Sequence, residues 1–124
     1  MSLIVSIIAK RDVEVDTEDL EAQVPGPHND LFGVESCRTT LWGSDVIKEL
    51  GCELIYSLKE TNVYVFDEDL EKLRNEFIMM MDHLETVIQH TGFDRVYIEF
   101  RVGNALEMIK IALREKDKVG IALW

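Results

Sequence analysis

The three histidines have the greatest chemical potential in this chain, because an imidazole titrates near neutral pH and binds transition metals. His83 and His90 lie seven positions apart in a segment of helical periodicity. Seven residues of helix rise roughly 10 Å, so the two rings cannot hold one metal ion together, and an i, i+4 pair would be needed. His28 stands in a turn of breaker residues without a second ligand nearby. We therefore expect no structural metal and no cofactor.

No nucleophile or phosphate-binding template is complete either. Ser44 follows Gly43 but lacks the second glycine of a nucleophile elbow, and its position favours a helix N-cap instead. Cys37 and Cys52 are fifteen positions apart with no C-x-x-C, so we expect two buried, reduced thiols. The glycines do not form a phosphate loop. The sequence leaves catalysis undecided but favours a protein that is not an enzyme.

Two polar residues, Arg101 and Asn104, interrupt an otherwise apolar segment. If that segment is helical, they share a face one turn apart. Together with His28 they form the candidate ligand-binding set, located beneath the connection of residues 11–35. The alternative is that these side chains satisfy neighbouring backbone groups at a sheet edge, as buried polar groups usually do. We favour this alternative.

Negative charge is concentrated in two segments, and it predicts the class of partner. The net charge is −11, with eight acidic residues against two basic ones in residues 1–35 and seven against two in residues 67–92. Such a field repels nucleic acid and anionic lipid and attracts a basic protein. We therefore expect a basic protein partner, no nucleic acid and no membrane.

Six residues are the predicted partner contacts. Four are acidic side chains of the first segment: Glu14, Asp16, Glu18 and Asp19. The other two, Met79 and His83, lie on a polar stripe of a later predicted helix. An exposed methionine adapts well to a partner surface. It could equally serve contact between two copies of the chain, so a homodimer is a further hypothesis.

The apolar patterns predict the elements that position these residues. A buried strand is expected over residues 3–10, a connection with one short helix near residues 18–23, and one helix or two half-helices over residues 36–50. Residues 53–58 and 62–66 predict a β-hairpin, and residues 118–124 a last strand. Trp42 and Trp124 are expected in or near the core.

Two long helices are the strongest prediction. Apolar residues recur at steps of three and four from Leu70 to Ile88, with Asp67 as cap and Gly92 as stop. Residues 94–115 continue the pattern with Asp94 as cap, although Gly103 in the interior costs about 1 kcal/mol relative to alanine. The helices are expected to pair through one inner face: Phe77, Met81, Leu84, Ile98, Ala105 and Ile109.

These elements predict a two-layer α+β fold. A small mixed sheet of about four strands, with the first and last strands adjacent, would pack against the αα-hairpin as a single domain over residues 1–124. No apolar run is long enough to cross a bilayer and no secretory signal is evident, so we expect a cytoplasmic protein.

Three functions remain open. The favoured one is a protein-binding module that masks a basic partner. The size and acidity of this chain are similar to those of immunity and antitoxin proteins, and this resemblance is one of composition without a shared motif. The others are a small ligand-binding or enzymatic domain with its site under the 11–35 connection, and a homo-oligomeric structural subunit.

Overall fold

Four strands form one antiparallel sheet in the computed structural model, which describes residues 1–124. They are β1 (Ser2–Ala9), β2 (Leu31–Val34), β3 (Val63–Val65) and β4 (Val119–Leu123), in the order β2-β1-β4-β3. The first and last strands are neighbours, as predicted, and pair from Val5 opposite Leu123 to Ala9 opposite Val119. All three pairings are antiparallel, so the sheet is not the mixed one expected.

Six helices complete the α+β fold and pack on one face of the sheet. They are α1 (Thr17–Glu21), α2 (Asp45–Glu49), α3 (Glu53–Tyr56), α4 (Glu68–Asp82), α5 (Leu84–Thr91) and α6 (Arg95–Arg114). A π-helical turn at Arg38–Trp42 precedes α2, so the predicted pair of half-helices is confirmed. None of the helices combines the length and apolar character that a bilayer crossing requires.

A single cluster of 31 buried side chains joins the sheet to the helices. The indole of Trp42 lies parallel to the ring of Phe32, with centroids 4.1 Å apart, and Phe77 meets both rings edge-on. The residues predicted for the inner face of the helical pair lie in or against this core, and α4 contacts α6 directly. Phe77, Leu84, Ile98, Ala105 and Ile109 are buried, and Met81 packs against them while partly exposed.

The first long helix is interrupted, contrary to the prediction of one continuous element. α4 ends at Asp82 and α5 begins at Leu84, because His83 leaves the helical conformation with φ −117° and ψ 31°. The amide of His83 is shared between the carbonyls of Met79 and Met80, the tightening usual at a helix end. Leu84 and Val87 still face the core, so the apolar spacing alone does not indicate the break.

The predicted hairpin is wrong in its first half. Residues 53–56 form α3 and residues 57–59 a 3₁₀ turn, while the second strand is confirmed as β3. Ile55 and Leu58 are both fully buried, a spacing of three that suits a helix and not a strand. A carboxylate from α4 also binds the first amides of α3, and this tertiary contact has no signature in the local sequence.

Of the predicted caps, one forms as expected. Asp94 accepts a hydrogen bond from the amide of Val96 at the start of α6. Ser44 and Asp67 occupy N-cap positions, but the hydroxyl of Ser44 donates to the carbonyl of Leu41 and the carboxylate of Asp67 pairs with Lys10. Each side chain therefore serves a neighbour outside its helix.

The two tryptophans differ in environment. Trp42 is fully buried as predicted, whereas Trp124 is 47% exposed. Its indole lies on the face of the sheet that the helices do not cover, where the ring nitrogen donates to Ser6. The expectation of a core position for Trp124 is therefore wrong.

Candidate functional site

The predicted ligand set is partly assembled around Asn104, which is fully buried. Its side-chain oxygen accepts from the Asn29 amide at 3.0 Å and bonds Nδ1 of His28 at 3.0 Å. Its side-chain nitrogen donates to Asn29 Oδ1 and to the carbonyl of Leu31. Because an amide side chain has about four hydrogen-bonding positions, Asn104 is saturated by this contact. It fastens the 28–31 turn to α6, the role the sequence favoured.

Gly103 provides the seat for the His28 ring. A Cβ at position 103 would lie 2.5 Å from Cε1 of His28, closer than side chains approach. The ring also stacks on Phe100, with centroids 5.6 Å apart. His28 is thus a docked, half-buried group and not an exposed turn residue, and the glycine that weakens α6 has a packing reason.

Arg101, the third member of the ligand set, serves a different neighbour. Its guanidinium lies 3.7 Å from the centre of the Tyr97 ring, and its Nε is buried without a hydrogen-bond partner. The Tyr97 hydroxyl is 3.5 Å from the Cys37 sulfur, and burial raises the pKa of this phenol. Since these groups stabilise the packing of β2 on α6, a ligand role for His28, Arg101 and Asn104 stays a prediction.

The acidic connection is exposed at the four predicted positions. Glu14, Asp16, Glu18 and Asp19 all face solvent, and Asp16 also caps α1 through the amide of Asp19. The neighbouring Glu21 instead accepts from the Ile7 amide at 2.8 Å, beyond the end of β2. Burial raises the pKa of Glu21. The carboxylate therefore substitutes for a missing strand partner while the four predicted residues stay free.

Met79 and His83 do not share one surface depression. His83 lines a shallow one between α5 and α6 with Asp82 and Glu99. Met79, 40% exposed, lies in a larger, open groove between α4 and the connection from α2 to α3. The two residues remain one turn apart, with the His83 amide donating to the Met79 carbonyl, but they line different depressions.

We call the second depression the acidic groove, with a volume of about 440 Å³. Its lining combines apolar groups on both walls with acidic, amide and basic groups along α4: Leu50, Gly51, Cys52, Glu68, Glu71, Lys72, Asn75, Glu76 and Met79. Lys72 is the only cation among them, and it already pairs with Glu53 at 3.1 Å. Glu68 and Glu71 are exposed and take part in no ion pair, so the groove has free negative charge.

Glu76 builds the groove instead of presenting charge in it. It is 6% exposed, and its two oxygens accept from the amides of Leu54 and Ile55 at 3.1 and 3.0 Å. These are orphan amides of the first turn of α3. Burial raises the pKa of Glu76, while the two amide bonds oppose the shift. The carboxylate of α4 thereby holds the opposite wall of the groove in place.

Cys52 lies beside this carboxylate and is equally shielded. Its thiol is 1% exposed and donates to the carbonyl of Glu76 at 3.4 Å. Burial, and then the negative charge of Glu76, raise the pKa of the thiol to about 11. A thiol with so high a pKa is almost wholly protonated at neutral pH and is a poor nucleophile. Cys37 and Cys52 are both free and buried, as expected.

Sequence reasoning missed Glu76, because charge alone places an acidic residue of an amphipathic helix on its solvated face. The available signal was spacing, because position 76 is three after Leu73 and four before Met80, both buried. An acidic residue on an apolar stripe predicts a buried carboxylate that needs donors. Which donors it meets depends on α3, whose helical state was not predicted.

Neither a protein-family model nor a curated protein nor a solved structure matches this chain.

Proposed function

We propose that this protein is a binding module without catalytic activity, which takes a basic, partly apolar segment of a partner protein into the acidic groove. The observation that carries the proposal is the pairing of unneutralised Glu68 and Glu71 with exposed Met79 in one concave surface. A lysine or arginine side chain matches this combination, since its stem is apolar and its end is cationic.

Charge in and around the groove favours a cation over other ligands. Glu68 and Glu71 also border an adjoining depression with Asp67 and Lys116, so the acidic rim continues along the start of α4. Five ion pairs use five of the 24 acidic side chains of the whole chain, so most of its negative charge, including that of Glu68 and Glu71, is unpaired. The field of this unpaired charge raises the rate of encounter with a basic partner more than it slows dissociation.

The acidic connection has a separate role in this proposal. Glu14, Asp16, Glu18 and Asp19 lie on and before α1, which packs against β1 and α6 and not against either wall of the groove. They steer the partner at long range and do not contact the bound segment. The protein acts in the manner of an immunity or antitoxin protein by covering a basic surface. The free thiols of Cys37 and Cys52 support a reducing compartment, the cytoplasm.

The groove can be tested with a synthetic peptide that alternates lysine and leucine, titrated into the isotope-labelled chain. We expect amide shifts centred on Glu68, Glu71 and Met79. The double variant Glu68→Gln/Glu71→Gln should bind roughly five- to tenfold more weakly, because each exposed ion pair contributes about 0.2–1 kcal/mol. The matched control Asp82→Asn/Glu99→Gln removes the same charge from the depression beside His83 and should change affinity little.

Steering is measured separately by association kinetics of the same peptide. Replacing Glu14, Asp16, Glu18 and Asp19 with amides should lower the association rate and flatten its salt dependence. A peptide that does not bind, or that loses equal affinity in both double variants, would refute the groove. An unchanged association rate at low and high salt would refute the steering role alone.

A further inference from the structure

The face of the sheet opposite the helices is an unpartnered apolar surface. We call it the outer face, and by strand alternation its central part comprises Ile4, Ser6, Ile8, Leu31, Tyr64, Phe66, Gly120, Ala122 and Trp124. Tyr64 is 57% exposed and Leu31 43% exposed. Ala122 is buried by its neighbours on this face, yet it does not belong to the core cluster. The outer face is therefore separate from the core.

None of these nine residues is charged, although 30% of the chain is. Charge appears only at one end of the outer face, where Lys10 and Lys118 continue the alternation and Lys10 lies beside Phe66. Three of the nine are aromatic, and the phenyl ring of Phe66 covers Gly120 so closely that a Cβ there would lie 2.5 Å from it. Depletion of charge and enrichment in aromatic groups distinguish the centre of protein interfaces from ordinary surface. This composition is typical of a surface that is covered by another protein.

Its polar atoms are already paired within the face or at its edge. The indole nitrogen of Trp124 donates to the Ser6 hydroxyl at 2.8 Å, and the Tyr64 hydroxyl accepts from the Asn62 amide at 3.2 Å. Each of these groups therefore keeps its hydrogen bond when the face is covered. Loss of such hydrogen bonds is the main penalty of a dry interface. The pairing also leaves no free donor or acceptor to recognise a different polar partner.

We propose that the occupant of the outer face is a second copy of this chain, packed sheet on sheet about a two-fold axis. Charge favours this arrangement, because two chains of net charge −11 repel each other least where they meet through a surface without acidic residues. The acidic groove lies in the helical layer, so the two grooves would face outward on opposite sides of the dimer. Two packed sheets and two helical layers separate them by more than the roughly 8 Å over which salt screens charge.

The size of the face sets the strength of the dimer. Four strands about 4.8 Å apart and about five residues long cover roughly 300–400 Å² per copy. Two copies thus bury roughly 600–800 Å² before the projection of the side chains is counted, which is below the range of stable specific interfaces and fits a weak, transient dimer. We therefore expect a reversible dimer with a dissociation constant of roughly 10–100 µM.

Sedimentation equilibrium of the whole chain across that concentration range tests the proposal. The apparent mass should rise from 14.3 kDa toward twice that value. Tyr64→Lys and, independently, Ser6→Lys should each keep the chain at the monomer mass, since a charge would be buried at the interface. Val96→Lys is the matched control, because Val96 is 69% exposed on α6, and it should dimerise like the wild type. Met79→Lys should also dimerise.

A spectroscopic readout separates loss of the dimer from loss of the fold. Trp124 emission should shift to the blue as wild-type concentration rises, while Trp42 stays buried throughout, and circular dichroism should show the variants folded. A wild type that stays monomeric at all concentrations overturns the proposal, as does a folded Tyr64→Lys that still dimerises. Dissociation by Met79→Lys but not by Tyr64→Lys would place the dimer on α4. Adsorption to phospholipid vesicles without self-association would also overturn it.

Discussion

Removal of the Glu76 carboxylate should unfold the wall of the acidic groove before the rest of the molecule. In Glu76→Ala the buried Ile55 amide loses its acceptor, at about 1–3 kcal/mol, whereas water from the groove can reach the half-buried Leu54 amide. One lost methylene adds about 0.8 kcal/mol. Relief from burying a charge offsets part of this sum. We expect a net loss of about 2 kcal/mol in the free energy of unfolding.

Glu76→Gln separates the hydrogen bonds from the charge. Its amide oxygen can accept from one backbone amide, but its nitrogen cannot accept from the other, so we expect a loss of about 1 kcal/mol, between the wild type and Glu76→Ala. The free energy of unfolding is obtained from urea titration with the fluorescence of buried Trp42. Glu99→Gln, on an exposed residue outside every ion pair, serves as the control and should lie within about 0.5 kcal/mol of the wild type.

The pH dependence gives this prediction a second arm. Because burial raises the folded-state pKa of Glu76, the folded chain binds its proton more tightly than the unfolded chain does. This contribution is fully present below the unfolded value of 4.5 and is lost as pH rises through the folded pKa. The stability gap between wild type and Glu76→Gln should therefore be wider at pH 4 than at pH 7. A gap that widens with rising pH, or a Glu76→Ala variant as stable as the wild type, would refute the reasoning.

Two further predictions concern packing. Leu84→Ala should lower the free energy of unfolding by roughly 2–5 kcal/mol in a denaturant titration, because Leu84 is only 6% exposed within the core, and a loss below about 0.5 kcal/mol would place it outside. Gly103→Ala should not raise the free energy of unfolding by the roughly 1 kcal/mol that alanine contributes in a helix interior, because its methyl group displaces the His28 ring. Unchanged nuclear magnetic resonance signals of His28 in this variant would contradict the prediction.

The sequence pattern was sufficient to predict those elements in which buried residues recur at regular spacing along the chain. Spacings of three and four identified α6 and the inner face of the helical pair, since a residue such as Ile109 is buried by the same periodicity that makes the helix. The dense apolar runs at the two ends of the sequence likewise predicted β1 and β4 and, with the helical pair between them, their adjacency. Composition fixed the negative charge, which depends on no fold.

Tertiary contact decided the remainder, because the groups involved are distant in sequence. α3 is helical where residues 53–58 predicted a strand, and Glu76, more than twenty positions away, binds its first amides. Gly103 is tolerated because His28 occupies the space of its missing side chain. Alternation along a strand shows that Tyr64 and Ser6 each point to one side, but only the sheet order shows that they point to the same uncovered side. Pairing between strands is non-local, and a single sequence contains no signal for it.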